Sequence, residues 1–181
     1  MKTPTKKKAA STQAARSPLH AGREAPDFEI TDDNGAARRL SDFRGKPVVL
    51  YFYPADDTPG CTKEACNFRD DYSRYRRQGV VILGVSPDSE KSHERFKTKY
   101  DLPFPLLADT GHRVCSMYGV WGRKHFMGRE YDGVLRTTFL IDQAGRIARV
   151  FEGVRPAEHS AEVLAEVKAL RAATLHRSNS D

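Results

Sequence analysis

Only three cysteines, three methionines and one tryptophan occur in these 181 residues. An odd, low cysteine count argues against a secreted disulfide scaffold and for a reducing compartment in which thiols react. No apolar run approaches the ~18 residues of a membrane-spanning helix. No internal repeat is visible. The six histidines show no paired metal spacing, so neither a metal nor another cofactor is expected.

Residues 1–20 contain no acid and almost no large apolar side chain, but carry Lys2, Lys6, Lys7, Lys8 and Arg16. They are expected to be a disordered basic tail. They lack the apolar segment of about 7–15 residues found in a secretory signal. A solvated tail on a cytoplasmic protein is the simplest reading, with organelle or nuclear targeting as the lesser alternative. The net charge of +6 is mostly this tail, because the remaining 25 basic and 24 acidic residues nearly cancel. A near-neutral body weakens any nucleic-acid role. Residues 21–175 read as one domain, and 176–181 as a frayed end.

What the chain does have is a strongly patterned stretch from Val48 to Arg77. Val48-Val49-Leu50-Tyr51-Phe52-Tyr53 is continuously apolar, as in a strand buried on both faces. Pro54 to Gly60 is dense in turn formers. Cys61, Ala65, Phe68, Tyr72 and Tyr75 then fall on one helical face. A second apolar strand, Val80 to Val85, closes a βαβ unit with a right-handed crossover.

Flanking segments extend the pattern. Pro26 to Ile30 reads as a strand before the turn Asp33-Asn34-Gly35. Leu40 and Phe43 suggest a helical turn. A helix is expected over Ser89 to Tyr100, a brief edge segment at Leu106-Leu107, and a short helix over Arg113 to Tyr118. Gly119 to Gly133 reads as a glycine-punctuated loop. Thr137 to Ile141 and Ile147 to Phe151 form an antiparallel pair, and Ser160 to Ala172 a last helix with Val163, Leu164, Val167 and Leu170 as its stripe. The sum is an α/β protein with a mixed central sheet and helices on both faces, a thioredoxin-like layout.

The location of Cys61 has a chemical consequence. In the first turn of a helix it meets unpartnered N–H groups and the positive end of the dipole, both favouring thiolate. An ordinary thiol of pKa ~8.5 is only ~3% ionised at pH 7. A helix end supplies about 0.3–1 kcal/mol, up to ~2 when partly buried. At ~1.36 kcal/mol per pKa unit that is too little to make the thiol mostly ionised. Thr58 can add a hydroxyl, and a cation must come from elsewhere in the chain.

The string YFYPADDTPGCTKEACNFRD, containing Pro54-x-x-x-Thr58-x-x-Cys61, resembles the active-site signature of peroxiredoxins. It is similar to the bacterioferritin comigratory protein, or peroxiredoxin Q, subfamily. So are Gly119-Val120-Trp121-Gly122, Tyr131-Asp132-Gly133 and Arg136 to Asp142. The resemblance runs from about Gly22 to Ala172. It implies a thiol-dependent peroxidase that reduces hydrogen peroxide and organic hydroperoxides, recycled by thioredoxin or a similar dithiol. By the same resemblance Cys61 is the peroxidatic cysteine, Thr58 the hydroxyl that bonds peroxide and sulfur, and Pro54 the residue shielding the site from water. Arg136 matches the strand arginine, which would fill the cation gap. Cys66 matches the resolving cysteine that forms a disulfide with Cys61. The subfamily is often monomeric.

Five residues along an α-helix place Cα atoms ~8–9 Å apart, whereas a disulfide needs about 4.4–6.8 Å. The helix around Cys61 and Cys66 must therefore unwind in each turnover. Structural or incidental packing is the competing reading for Cys66 and the favoured one for Cys115. Asp56-Asp57 reads as a solvated turn. A thiol–disulfide oxidoreductase would carry a Cys-x-x-Cys pair, and a copper carrier a closer pair with a partner histidine. A peroxide sensor that oxidises a partner remains the non-enzymatic alternative.

Overall fold

The computed structural model describes residues 18–178. The basic tail expected over 1–20 lies almost wholly outside the described residues. Strands β1 (Glu29–Thr31) and β2 (Ala37–Arg39) form the hairpin expected around Asp33-Asn34-Gly35. A 3-10 turn, Leu40–Phe43, leads into β3 (Val48–Phe52). Helices α1 (Pro59–Asp70) and α2 (Tyr72–Arg77) follow, then β4 (Val81–Ser86), α3 (Glu90–Tyr100), β5 (Leu106–Ala108) and α4 (Arg113–Met117). A hairpin of β6 (Trp121–Phe126) and β7 (Arg129–Val134) precedes β8 (Thr137–Ile141), β9 (Ile147–Glu152) and α5 (His159–Ser178).

The main sheet has the order β5-β4-β3-β8-β9. β3 pairs parallel with β4 and antiparallel with β8, so the sheet is mixed, as the βαβ unit and terminal hairpin predict. Strand alternation divides the core. Val48, Leu50 and Phe52 face one cluster, with Leu83, Val85, Phe139, Ile141, Val114 of α4 and Tyr118 just after it. Val49, Tyr51 and Tyr53 face the other, with Ala65 and Phe68 of α1, Phe96 of α3 and Val163, Leu164 and Val167 of α5. Helices thus cover both faces, more heavily on the second.

Phe68 fixes α1 on that second face. It is fully buried, and its ring lies 4.9 Å from Tyr51, 5.9 Å from Tyr75 and 5.7 Å from His159. Burying such a side chain contributes about 1.5–3 kcal/mol. The helix that begins at the Cys61 turn is therefore held along its length by aromatic packing on the sheet.

Three elements differ from the sequence reading. The single helical face expected from Cys61 to Tyr75 is carried by two helices, broken at Asp71. That break is held by Asp71, which accepts from Ser160 Oγ at 2.8 Å and Arg74 Nη1 at 3.1 Å. The loop expected over Gly119 to Gly133 is an antiparallel hairpin, turned at Met127 and Gly128, both at positive φ. Its strands are mostly solvent-exposed, so they lack the apolar alternation that marks a half-buried strand. The last helix runs to Ser178, so residues 176–178, expected to fray, continue it. Among the described residues no helix is long and apolar enough to cross a membrane.

Candidate active site

α1 leaves the sheet through the turn Pro54 to Thr58. Pro54 is half-buried just beyond the end of β3. Thr58, with extended φ and ψ, is the N-cap residue, and Pro59 occupies the first helical turn, where a missing N–H costs nothing. The first intrahelical bond runs from Thr62 N–H to the Thr58 carbonyl, 2.8 Å. The N–H groups of Gly60 and Cys61 therefore precede the ladder, at the positive end of the helix. Cys61 sits in this turn, 2% exposed.

The cation is Arg136, two residues after β7 ends and next to the start of β8. Its Nη2 donates to Cys61 Sγ at 3.3 Å, and its Nη1 to Glu64 Oε2 at 2.5 Å. Antiparallel pairing of β8 with β3 brings this distant segment to the mouth of α1, because Thr137 lies opposite Phe52. Gly60 makes the approach possible: a Cβ there would come within 3.3 Å of Arg136 Nη2.

The electrostatics are those of a buried triad. Desolvation works against the Arg136 charge, but Glu64 and Cys61 outweigh it and hold the guanidinium above its ordinary value. Burial pushes the Glu64 carboxyl up to about 7, against the charge and hydrogen bond of Arg136. Guanidinium suits this place, because it stays charged and serves two acceptors through a rigid fork.

Thr58 is placed differently from the sequence expectation. Its hydroxyl donates to the Ala55 carbonyl at 2.8 Å rather than to the sulfur. Its oxygen keeps acceptor capacity. Cys66 is half-buried one turn and a half further along α1, and all three cysteines are free thiols. Cys115 is buried in α4, where its N–H donates to Asp109 Oδ2 at 2.7 Å. Burial and the Asp109 charge push the Cys115 thiol far up, as in a packing residue.

The turn itself rests on residues whose role the sequence did not disclose. Asp56, expected in a solvated turn, has a side chain only 4% exposed. Its carboxylate accepts from Tyr53 Oη at 2.7 Å and Ser92 Oγ at 2.8 Å, and pairs with His93 Nδ1 at 2.8 Å. His93 Nε2 bonds the Leu107 carbonyl at 3.0 Å, and Asp56 N–H donates to Asp88. Only Asp57, tied to Lys99 and Tyr100 at the surface, fits the expected description. Little that is local marks Asp56 as buried, since apart from Tyr53 its partners Asp88, Ser92 and His93 lie more than 30 residues away. A second support is Asn67, whose amide donates to the carbonyls of Pro156 and Ala157, both at 2.9 Å. Among the described residues no group of three His, Cys, Asp or Glu side chains could hold a metal ion.

This arrangement presents one cysteine at a helix end beside a guanidinium, and offers donors to negative charge developing nearby. Residues 21–150 match the AhpC/TSA family. The chain is 51% identical over 146 residues to a putative peroxiredoxin bcp of Coxiella burnetii, covering 81% of this chain and 97% of that one. It is 47% identical over 150 residues to peroxiredoxin Bcp of Bacillus subtilis, covering 83% and 96%. Among solved structures, peroxiredoxin Q of Xanthomonas campestris superposes with a TM-score of 0.77 at 36% identity, covering 82% and 97%. A mutant of Xylella fastidiosa PrxQ gives a TM-score of 0.82 at 31% identity, covering 86% and 99%. The chain belongs to the AhpC/TSA family, as a peroxiredoxin of the bacterioferritin comigratory protein and peroxiredoxin Q branch.

Proposed function

We propose that this thiol-dependent peroxidase works through Cys61 as its peroxidatic residue, Cys66 as its resolving residue and a thioredoxin-like dithiol as its reductant. The observation that carries the assignment is the 3.3 Å contact between Arg136 Nη2 and Cys61 Sγ at the head of α1. The thiolate attacks the outer oxygen of a hydroperoxide. An S–O bond forms, the O–O bond breaks, and sulfur loses two electrons to the peroxide. Cys61 becomes a sulfenic acid, and the departing hydroxide or alkoxide takes a proton to leave as water or alcohol. Arg136 is placed to bond the reacting oxygens as charge grows on the leaving one. The Thr58 oxygen can accept the hydroperoxide O–H, since its own proton is held by Ala55. Pro54 shields the sulfur from water.

Resolution follows from the Cys66 position. Its thiolate attacks the sulfenic sulfur, an S–S bond forms as the S–O bond breaks, and the departing hydroxide takes a proton to leave as water. Both residues lie within the intact α1, Pro59–Asp70, so Cα atoms ~8–9 Å apart must close to about 4.4–6.8 Å. The helix unwinds to let them meet, and a dithiol then returns the disulfide to two thiols. One of the solved relatives, the Xanthomonas campestris bacterioferritin comigratory protein, is described as having alkyl peroxide reduction activity. That supports organic hydroperoxides as substrates here beside hydrogen peroxide.

The unit that does this is residues 21–175, acting as a monomer. Cys61, Cys66, Thr58, Pro54 and Arg136 all come from one chain, which supports that reading. The low cysteine count supports a reducing, cytoplasmic setting. The test is peroxide consumption coupled to a thioredoxin system. Wild type turns over, Cys61→Ser is inert, and Cys66→Ser loses turnover with thioredoxin while still forming a sulfenate. Equal turnover of Cys66→Ser and wild type would overturn the resolving assignment.

A further inference from the structure

Helix α1 is held against the segment between β9 and α5. A Cβ on Gly60 would lie 3.8 Å from Pro156 Cγ. Further along, the Asn67 amide donates to the carbonyls of Pro156 and Ala157, both at 2.9 Å. Gly60 and Asn67 stand about two turns apart, so these contacts share one face of the helix. Cys61 and Cys66 both lie between them. The next residue, Phe68, meets His159 at the start of α5, edge to face with ring centres 5.7 Å apart.

His159 is fully buried, and the chemistry described so far makes no use of it. Its ring also meets Phe151 of β9 edge to face, at 5.4 Å. Its Nε2 bonds Thr138 Oγ1 of β8 at 2.7 Å. Its Nδ1 is buried without a hydrogen-bond partner, with Glu162 Oε2 3.7 Å away on an exposed side chain. The other charged and titratable groups of this corner are Arg136 before β8, Asp71 bonded by Ser160 Oγ, the Tyr75 phenol on the Ser160 carbonyl, and Arg149 over the Phe151 ring.

A neutral imidazole has one N–H, and the ring can keep that form here. A second proton would put a charge where the ring has no exposed surface and Nδ1 no acceptor within reach. Burial holds the imidazole down at about 4, against the pull of Glu162 and with the help of Arg136. The α1 side of this enclosure is Phe68, two residues beyond Cys66. Unwinding that carries Cys66 to Cys61 pulls on Asn67 and Phe68, and so opens the ring to water.

We propose that His159 is a positioning residue for the resolving step, acting through Phe68: neutral, it seats α1 closed, and by taking a proton from water once α1 opens it favours the state in which Cys66 reaches Cys61. The inference rests on the reading of Cys61 and Cys66 as the disulfide pair. The closed form binds fewer protons than the open one between about 4 and the ordinary 6.5. Opening is therefore favoured as pH falls through 6.5, and the effect is absent well above it.

The test is the equilibrium constant of the Cys61–Cys66 disulfide against dithiothreitol, measured across this range for wild type and His159→Gln. Gln can still bond Thr138 but does not titrate. The ratio of wild-type to variant constants removes the protons of the thiols themselves. It should move toward the disulfide by about tenfold between roughly pH 7.5 and 5.5. A ratio that stays flat, or moves toward the dithiol, overturns the proposal. Should His159→Gln fail to fold, nuclear magnetic resonance of the His159 ring in wild type gives the same decision. In the reduced protein the ring stays neutral down to about 4, and in the disulfide form it titrates near 6.5. The same titration in both forms overturns the proposal. Failure of the disulfide reading is a different result, in which peroxide forms no Cys61–Cys66 bond at all.

Discussion

The guanidinium of Arg136 is divided between Cys61 and Glu64, one nitrogen on the sulfur at 3.3 Å and the other on the carboxylate. Removing it therefore has two separable effects. Arg136→Met strands a buried carboxylate, which costs about 3–5 kcal/mol, and removes a donor to the reacting oxygens, which lowers the peroxide rate by about a hundredfold or more. Adding Glu64→Gln to that variant restores much of the stability and none of the rate. Denaturant midpoints and stopped-flow rates on the three proteins check this, and recovery of both together would contradict it.

Glu64 also gives a pH signature. Its carboxyl titrates at about 7 in the fold against 4.5 ordinarily, because burial disfavours the charged form. The folded state binds more protons across that interval. The contribution of Glu64 to stability is thus complete below about 4.5 and is lost as pH rises through about 7. The stability of wild type relative to Glu64→Gln should fall over this window. A series of denaturant midpoints measures the difference, and a relative stability that rises with pH would refute the assignment.

Asp56 anchors the turn from below, with Tyr53, Ser92 and His93 all bonded to its carboxylate. Asp56→Ala leaves buried groups without their partner, at about 1–3 kcal/mol each. A loss of about 3 kcal/mol or more is expected in chemical denaturation. A loss under about 1 kcal/mol, the scale of an ordinary surface substitution, would show that the network does not support the turn.

Asn67 follows Cys66 and ties α1 to the segment before α5 through two hydrogen bonds. If α1 must open for the disulfide to form, this tie opposes opening. Asn67→Ala removes about 1–2 kcal/mol of that resistance, enough to speed disulfide formation about tenfold. It should also make Cys61 less prone to oxidation beyond sulfenic acid at high peroxide, since resolution competes with that step. Mass spectrometry after rapid quenching follows both products. Slower resolution in the variant would contradict the role of the tie.

These predictions draw unequally on sequence and structure. The run Val48 to Tyr53 and the turn after it locate the sheet centre and the head of α1, because continuous burial and turn chemistry are local signals. Cys61 is legible for the same reason. Arg136 is reached through resemblance, since nothing in Leu135-Arg136-Thr137 says that β8 lies beside β3. The β6–β7 hairpin reads as a loop because exposed strands carry little apolar alternation. Asp56 reads as solvated because its partners, His93 and Asp88, come from α3 and the turn before it. Glu64 is visible as a residue of α1, but its burial depends on where Phe68 seats the helix.

The most direct test of the central claim is a count of thiols after one equivalent of peroxide is mixed with reduced protein. Peptides are mapped after alkylation. The account predicts rapid loss of Cys61 and Cys66 together as one disulfide, with Cys115 still reduced, and no loss at Cys66 in Cys61→Ser. Oxidation that proceeds at Cys66 or Cys115 without Cys61, or at the pace of an ordinary thiol, would contradict it.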